Sequence, residues 1–130
     1  MSPAPRAGGS QGERGAATAE LAMVLPLLLA VTGALVWMLT LVLAQMRVTD
    51  AAREAARAAA RGDDPAAAEA LAVQVAPVGS TVQVLTDGDR VRVVVTSDVR
   101  GPGGLLAHLP GAEVSSSAVA VHEPVGVATP

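Results

Sequence analysis

The stretch LAMVLPLLLAVTGALVWMLTLVLA, residues 21–44, runs for 24 residues without a single charge. About 20 apolar residues in a helix, rising 1.5 Å each, cross roughly 30 Å of hydrocarbon, so the stretch predicts a transmembrane helix. A cleaved secretory signal fits less well, because its apolar core is only about 7 to 15 residues long. Pro26 lies one turn into the run and removes one helical hydrogen bond. Membrane helices tolerate that defect, with or without a kink, when neighbouring groups satisfy the freed carbonyl.

The helical pattern continues past the run. Residues 45–61, QMRVTDAAREAARAAAR, contain neither Gly nor Pro and are dominated by Ala and Arg, both strong helix formers. Arg53, Arg57 and Arg61 recur every four residues on one face, and Val48, Ala52, Ala55, Ala56 and Ala59 form a small-residue stripe elsewhere. Gly62 is the expected C-terminal cap, and Asp63 or Asp64 is the expected cap of a short second helix near residues 65–76 that opens with Pro65. A helix continuous from residue 16 to 61 is about 70 Å long, more than a bilayer requires.

After Gly62 the sequence turns to strand patterns. Thr81–Thr86 and Arg90–Ser97 are rich in Val and flank Asp87-Gly88, a pair suited to a type I′ hairpin turn. A Gly- and Pro-rich loop occupies residues 100–111, and Glu113–Val121 reads as a third strand. The expected fold class is α+β: a long N-terminal membrane-spanning helix continuing into a small domain with a short helix and about three antiparallel strands. A core of this size rarely supplies more than about 3–5 kcal/mol. The sequence contains no cysteine to staple it. The domain is therefore expected to pack on the Ala face of the long helix, on partner subunits, or on both.

Composition excludes several functions. Without Cys there is no thiol nucleophile and no Cys-based metal site. A net charge of −3 and the lack of a basic stripe argue against nucleic-acid binding. Lys, Asn, Ile, Phe and Tyr are all absent and Trp37 is the one aromatic residue. These missing types share AT-rich codons, so their absence reflects GC-rich coding more simply than disorder. Trp37 lies deep in the apolar run, away from the interfacial belts where Trp is enriched, which favours a helix-packing role.

One acidic residue, Glu20, stands at the head of the apolar run. A carboxylate at the bilayer centre costs roughly 2.5–3.5 kcal/mol on insertion scales and less near an interface, so such a residue marks a function or a partner unless it stays hydrated at the boundary. Its context is Glu13-Arg14-Gly15, then Ala16 to Ala19, then Glu20 and the uncharged helix. With the short polar leader MSPAPRAGGSQGERG ahead of it, this arrangement resembles the processing site of type IV prepilins, and specifically the TadE-like pseudopilins of the tight-adherence (Flp) pilus system. Leu21 stands where major Flp pilins typically carry Tyr, and the extra domain also departs from those short pilins. The resemblance is thus to a minor pilin or pseudopilin.

The resemblance implies that residues 1–15 form a cytoplasmic leader, that a prepilin peptidase cuts between Gly15 and Ala16, and that Glu20 becomes the fifth residue of the mature chain. Residues 16–61 would be the long helix of pilin type, transmembrane at 21–44, and residues 62–130 a small extracytoplasmic domain. The implied partners are the peptidase, other pilin subunits, the inner-membrane assembly platform and, through it, an assembly ATPase, with membrane lipid around the helix. The implied location is the cytoplasmic membrane, with a surface pilus as the destination. Freed by cleavage, the Ala16 amine is a cation, and an ion pair with Glu20 of a neighbouring subunit offsets part of the desolvation cost of both. Small residues at Ala16, Ala17, Ala19, Ala22, Ala30, Gly33 and Ala34 allow close helix approach. An unprocessed single-pass anchor carrying a small extracytoplasmic binding domain is the alternative. The arginines oppose the implied orientation: Arg47, Arg53, Arg57 and Arg61 follow the run and only Arg6 and Arg14 precede it, whereas positive residues usually stay cytoplasmic.

No catalytic constellation stands out, and the chain is not expected to be an enzyme or to hold a cofactor or metal. His108 and His122 lack metal-site spacing, and Glu123 beside His122 would point to the opposite face of a strand. Ser115, Ser116 and Ser117 lack the Gly-x-Ser-x-Gly turn of a nucleophile elbow. Gly101, Gly103 and Gly104 lack the Lys-Ser/Thr of a phosphate loop. Arg61-Gly62-Asp63 spells an adhesion tripeptide, but a helix cap explains it better.

Overall fold

A computed structural model describes Met1, residues 10–101 and residues 103–122. The elements in chain order are helix α1 (Ser10–Ala60), helix α2 (Pro65–Val75), strands β1 (Thr81–Asp87) and β2 (Arg90–Val99), a single 3₁₀ turn (Gly104–His108) and strand β3 (Ala112–Val121). The α+β class and the order of its elements match the reading of the sequence. α1 starts earlier than expected, at Ser10, inside the stretch read as a flexible leader. Gln and Arg are good helix formers, and Glu13 in the first turn suits the helix dipole. The helix also passes through Pro26 without interruption.

Two compact units divide the chain, Met1–Val36 and Trp37–Pro130. In the first, the apolar side chains of α1 find nothing to cover them: Leu21, Leu27 and Leu29 are each about two-thirds exposed. α1 is the one helix among the described residues that is long and apolar enough to cross a membrane.

In the second unit, α1 buries Ala44, Val48, Ala51, Ala52, Ala55, Ala56, Ala58 and Ala59. Steps of three and four residues keep these on one stripe, and Arg53 and Arg57 project from the exposed side between them. The stripe shares one core with Ala68 and Ala72 of α2 and with Val91, Val93 and Val95 of β2. The small domain does pack on the Ala face of α1. On the α1 side this contact is made almost wholly of alanine, in a sequence that offers no Phe, Tyr or Ile. Trp37 is half-buried.

The end of α1 is a Schellman motif. Gly62 adopts φ +90°, its N–H donates to Ala59 O at 3.1 Å, and the Asp63 N–H donates to Ala58 O at 3.2 Å. Arg61 and Asp63 form an exposed ion pair at 3.6 Å across it. Asp64, not Asp63, caps α2, accepting from the Ala66 N–H at 3.3 Å ahead of Pro65 in the first turn. A Cβ at position 62 would meet only ordinary contact, 3.8 Å from the His122 ring, so the backbone conformation alone demands glycine. Gly62→Ala is expected to destabilise the Trp37–Pro130 unit by about 1–2 kcal/mol. Thermal unfolding of the full chain in micelles checks this, and an unchanged midpoint would refute it.

The three strands form an antiparallel sheet in the order β1-β2-β3. The hairpin turn differs from the expected one by a residue. Asp87 pairs with Arg90, so the two loop residues are Gly88 and Asp89. Gly88 has φ +61° and no non-glycine residue among those described has positive φ. A type I′ turn needs positive φ at both positions, whereas type II′ needs it only at the first. Gly-Asp therefore makes a II′ turn, and the Asp89 carbonyl accepts from the His122 N–H at 2.7 Å, tying the turn to the end of β3.

Candidate functional site

Gly15, Ala16 and Glu20 all lie on α1, helical and exposed. Thr18 donates its hydroxyl to the Arg14 carbonyl at 2.9 Å, a bond that keeps this polar side chain within its own helix. Ala16 and Glu20 are one turn apart on the same face, separated by a rise of about 6 Å. Glu20 makes no ion pair among the described residues. Ahead of it lie Glu13 and Arg14, and beyond it no charge until Arg47. The site therefore consists of one unpaired carboxylate at the head of an uncovered apolar helix, with small side chains at Ala16, Ala17 and Ala19 around it. Such a surface offers helix-to-helix packing and one charge to be matched by a partner.

The other polar groups are dispersed. Among the described residues no group of three or more His, Asp or Glu side chains is placed to hold a metal. His108 closes the 3₁₀ turn and His122 follows β3 beside Gly62, while Glu123 lies outside the described residues. Ser115 and Ser117 sit on the exposed face of β3 and Ser116 is half-buried on the other. Gly103 and Gly104 lead into a 3₁₀ turn of five residues.

One contact was not foreseeable from sequence pattern. Gln45, the first polar residue after the uncharged run, donates from Nε2 to the Ser115 carbonyl at 3.0 Å, bonding α1 to the backbone of β3.

Residues 15–57 match the family described as TadE-like protein. A Mycobacterium tuberculosis protein named Apoptosis inhibitor Rv3655c is 40% identical over 112 residues, which cover 84% of this chain and 77% of that one. This chain belongs to the TadE-like family. No solved structure matches it.

The part of this TadE-like protein that carries the family match begins at Gly15, takes in Glu20 and the whole uncharged run, and ends at Arg57 on the exposed face of α1. Membership associates the protein with the Tad pilus system, a setting in which the family is not typically enzymatic. Together with the exposed apolar helix, it points to membrane anchoring. The name of the mycobacterial relative concerns that protein and carries no chemistry that the site of this one displays.

Proposed function

We propose that this TadE-like protein is a minor pilin or pseudopilin, trimmed between Gly15 and Ala16 by a prepilin peptidase and taken into a Flp-type pilus. In this reading residues 1–15 are a cytoplasmic leader and residues 16–61 the long helix, which spans the cytoplasmic membrane at 21–44. Residues 62–130 lie outside the cytoplasm. The peptidase, other pilins, the assembly platform and its ATPase are the partners. The observation that carries the reading is the position of Glu20: it is exposed, unpaired, five residues beyond Gly15, and it heads 24 uncharged residues of which the first twelve, 21–32, are all exposed. A carboxylate there is explained by a charge that another subunit brings to it.

A second reading, the unprocessed membrane anchor, draws support from the helix itself. α1 runs unbroken from Ser10 through Gly15 and Ala16, and peptidases cleave extended backbone. Local opening at this point is nonetheless cheap, since glycine weakens a helix interior by about 1 kcal/mol relative to alanine and helix ends fray.

Mass spectrometry of the N-terminus in the membrane fraction separates the two readings. Processing predicts a chain that starts at Ala16, and an intact leader on all of the protein favours the anchor. Because the natural sequence has no cysteine, Ser2→Cys and Ala128→Cys chains report orientation by impermeant thiol labelling of intact cells. Labelling at position 128 is expected; labelling at position 2 alone would reverse the proposed topology.

A further inference from the structure

We propose that a cavity at the end of the apolar run binds the phosphate of an anionic membrane phospholipid. The cavity has a volume of about 330 Å³, at the small end of ligand sites, which span roughly 300–1,000 Å³. One wall is a single face of α1, from Thr40 through Leu43 and Ala44 to Arg47, and the other is the segment Ser97–Arg100 at the end of β2. Pro77 and Val78, after α2, close it.

Three features select the ligand. First, the wall on α1 changes character along its length: Leu43 and Ala44 belong to the uncharged run, and Arg47 is the first charge after it. From Thr40 to Arg47 the helix rises about 10 Å. That compares with roughly 5–8 Å for one headgroup layer, the difference per leaflet between the hydrocarbon core and the whole bilayer. A helix spanning the membrane through residues 21–44 thus carries this cavity across the boundary between hydrocarbon and headgroups, with Arg47 on the headgroup side. Second, Arg47 and Arg100 both line the cavity and neither forms an ion pair among the described residues. Guanidinium groups match phosphate oxygens with paired N–H donors. Asp98 also lines it, so two arginines and one aspartate leave a formal +1 for an anion.

Third, the inner face of β2 reads Val91, Val93, Val95, Ser97, Val99, and only at position 97 is the valine replaced. Ser97 is 2% exposed and is the one buried polar residue among those described. It lines this cavity as the polar break in that row. A free anion would use the arginines but leave the apolar lining of Leu43 and the fully exposed Val78 uncovered. A phospholipid uses both.

The proposal rests on the helix spanning a bilayer and holds for either orientation. The test uses the full chain in nanodiscs of phosphatidylglycerol and phosphatidylcholine, with native mass spectrometry of the lipids retained after transfer to detergent. The expected result is preferential retention of phosphatidylglycerol, reduced about fivefold or more in the Arg47→Gln/Arg100→Gln chain. Both side chains are exposed, so the double substitution is compatible with folding. Arg90→Gln/Arg92→Gln, which removes the same charge from the outer face of the sheet, is expected to retain the lipid as the unmodified chain does. Equal retention of the two lipids, or equal loss in both double variants, would overturn the site. Displacement of phosphatidylglycerol by inorganic phosphate at comparable concentration would assign the cavity to a free anion and overturn the lipid. Release of the chain from membranes by alkaline carbonate would defeat the spanning reading, a result distinct from an inserted chain that retains no anionic lipid.

Discussion

Glu20→Ala is expected to give a chain that inserts into the membrane and is trimmed to Ala16 as before, yet falls at least about tenfold in sheared pili relative to the cell body. The asymmetry follows from where the charge sits. Removing a carboxylate from the head of an apolar helix extends the uncharged stretch, so insertion is not impaired. Nor does the substitution alter Gly15 or Ala16, where cleavage is proposed. In the proposed assembly it removes the partner of the freed Ala16 α-amine, and a cation left alone among apolar helices is among the costlier defects known. Glu20→Gln distinguishes charge from shape: it preserves the side chain's length and hydrogen-bonding capacity, so it should fail as the alanine does. Quantitative mass spectrometry of the filament fraction reads both variants. Normal incorporation of Glu20→Ala would eliminate the ion pair as the source of register, and rescue by Gln would replace it with a neutral hydrogen bond.

The parts of this molecule that were legible in its sequence are those governed by local periodicity. The uncharged run, the Ala stripe after it, the Gly62 cap and the Val-rich strands each follow from rules that act over a few residues, and the structure places all of them as those rules require. The hairpin shows the limit of such rules. Asp87-Gly88 is a favourable turn pair in isolation, but the cross-strand pairing of Asp87 with Arg90 leaves Gly88-Asp89 in the loop. With Val91, Val93 and Val95 turned to the core and Val82 and Val84 half-buried beside them, the pleat fixes which residues face inward, and the turn follows. Long-range partners were not legible at all. Nothing local to Gln45 announces Ser115 70 residues away, and Arg47 and Arg100 become neighbours only when β2 is laid on α1. Ser97 alone carried a local signal, the one polar residue in an inner row of valines. The proposed assembly site differs again, since the partner proposed for Glu20 belongs to a second subunit, and no fold of a single chain supplies one.

The largest stability effect is expected from Ala55→Leu. Ala55 is fully buried on α1, in the core that also holds Val91, Val93 and Val95. In a helix exposed to solvent the change would be almost free, because leucine is nearly as good a helix former as alanine. Here the added carbons must enter a contact built on alanine, and overpacking of this kind costs about 1–3 kcal/mol. A domain whose core rarely supplies more than about 3–5 kcal/mol loses much of its margin to that one change. Ala67→Leu, on the exposed face of α2, makes the same chemical change without the contact and should stay within about 0.5 kcal/mol. Circular dichroism would be dominated by a membrane helix that survives in both variants, so amide hydrogen exchange at Val93 and Val95 is the better measure. Protection there should drop steeply in Ala55→Leu and persist in Ala67→Leu. If instead both variants protect β2 equally, the sheet does not depend on close approach to α1. The core shared by α1 and β2 would then have room for the added carbons, and the alanines of the stripe would owe their place to helix propensity and not to packing.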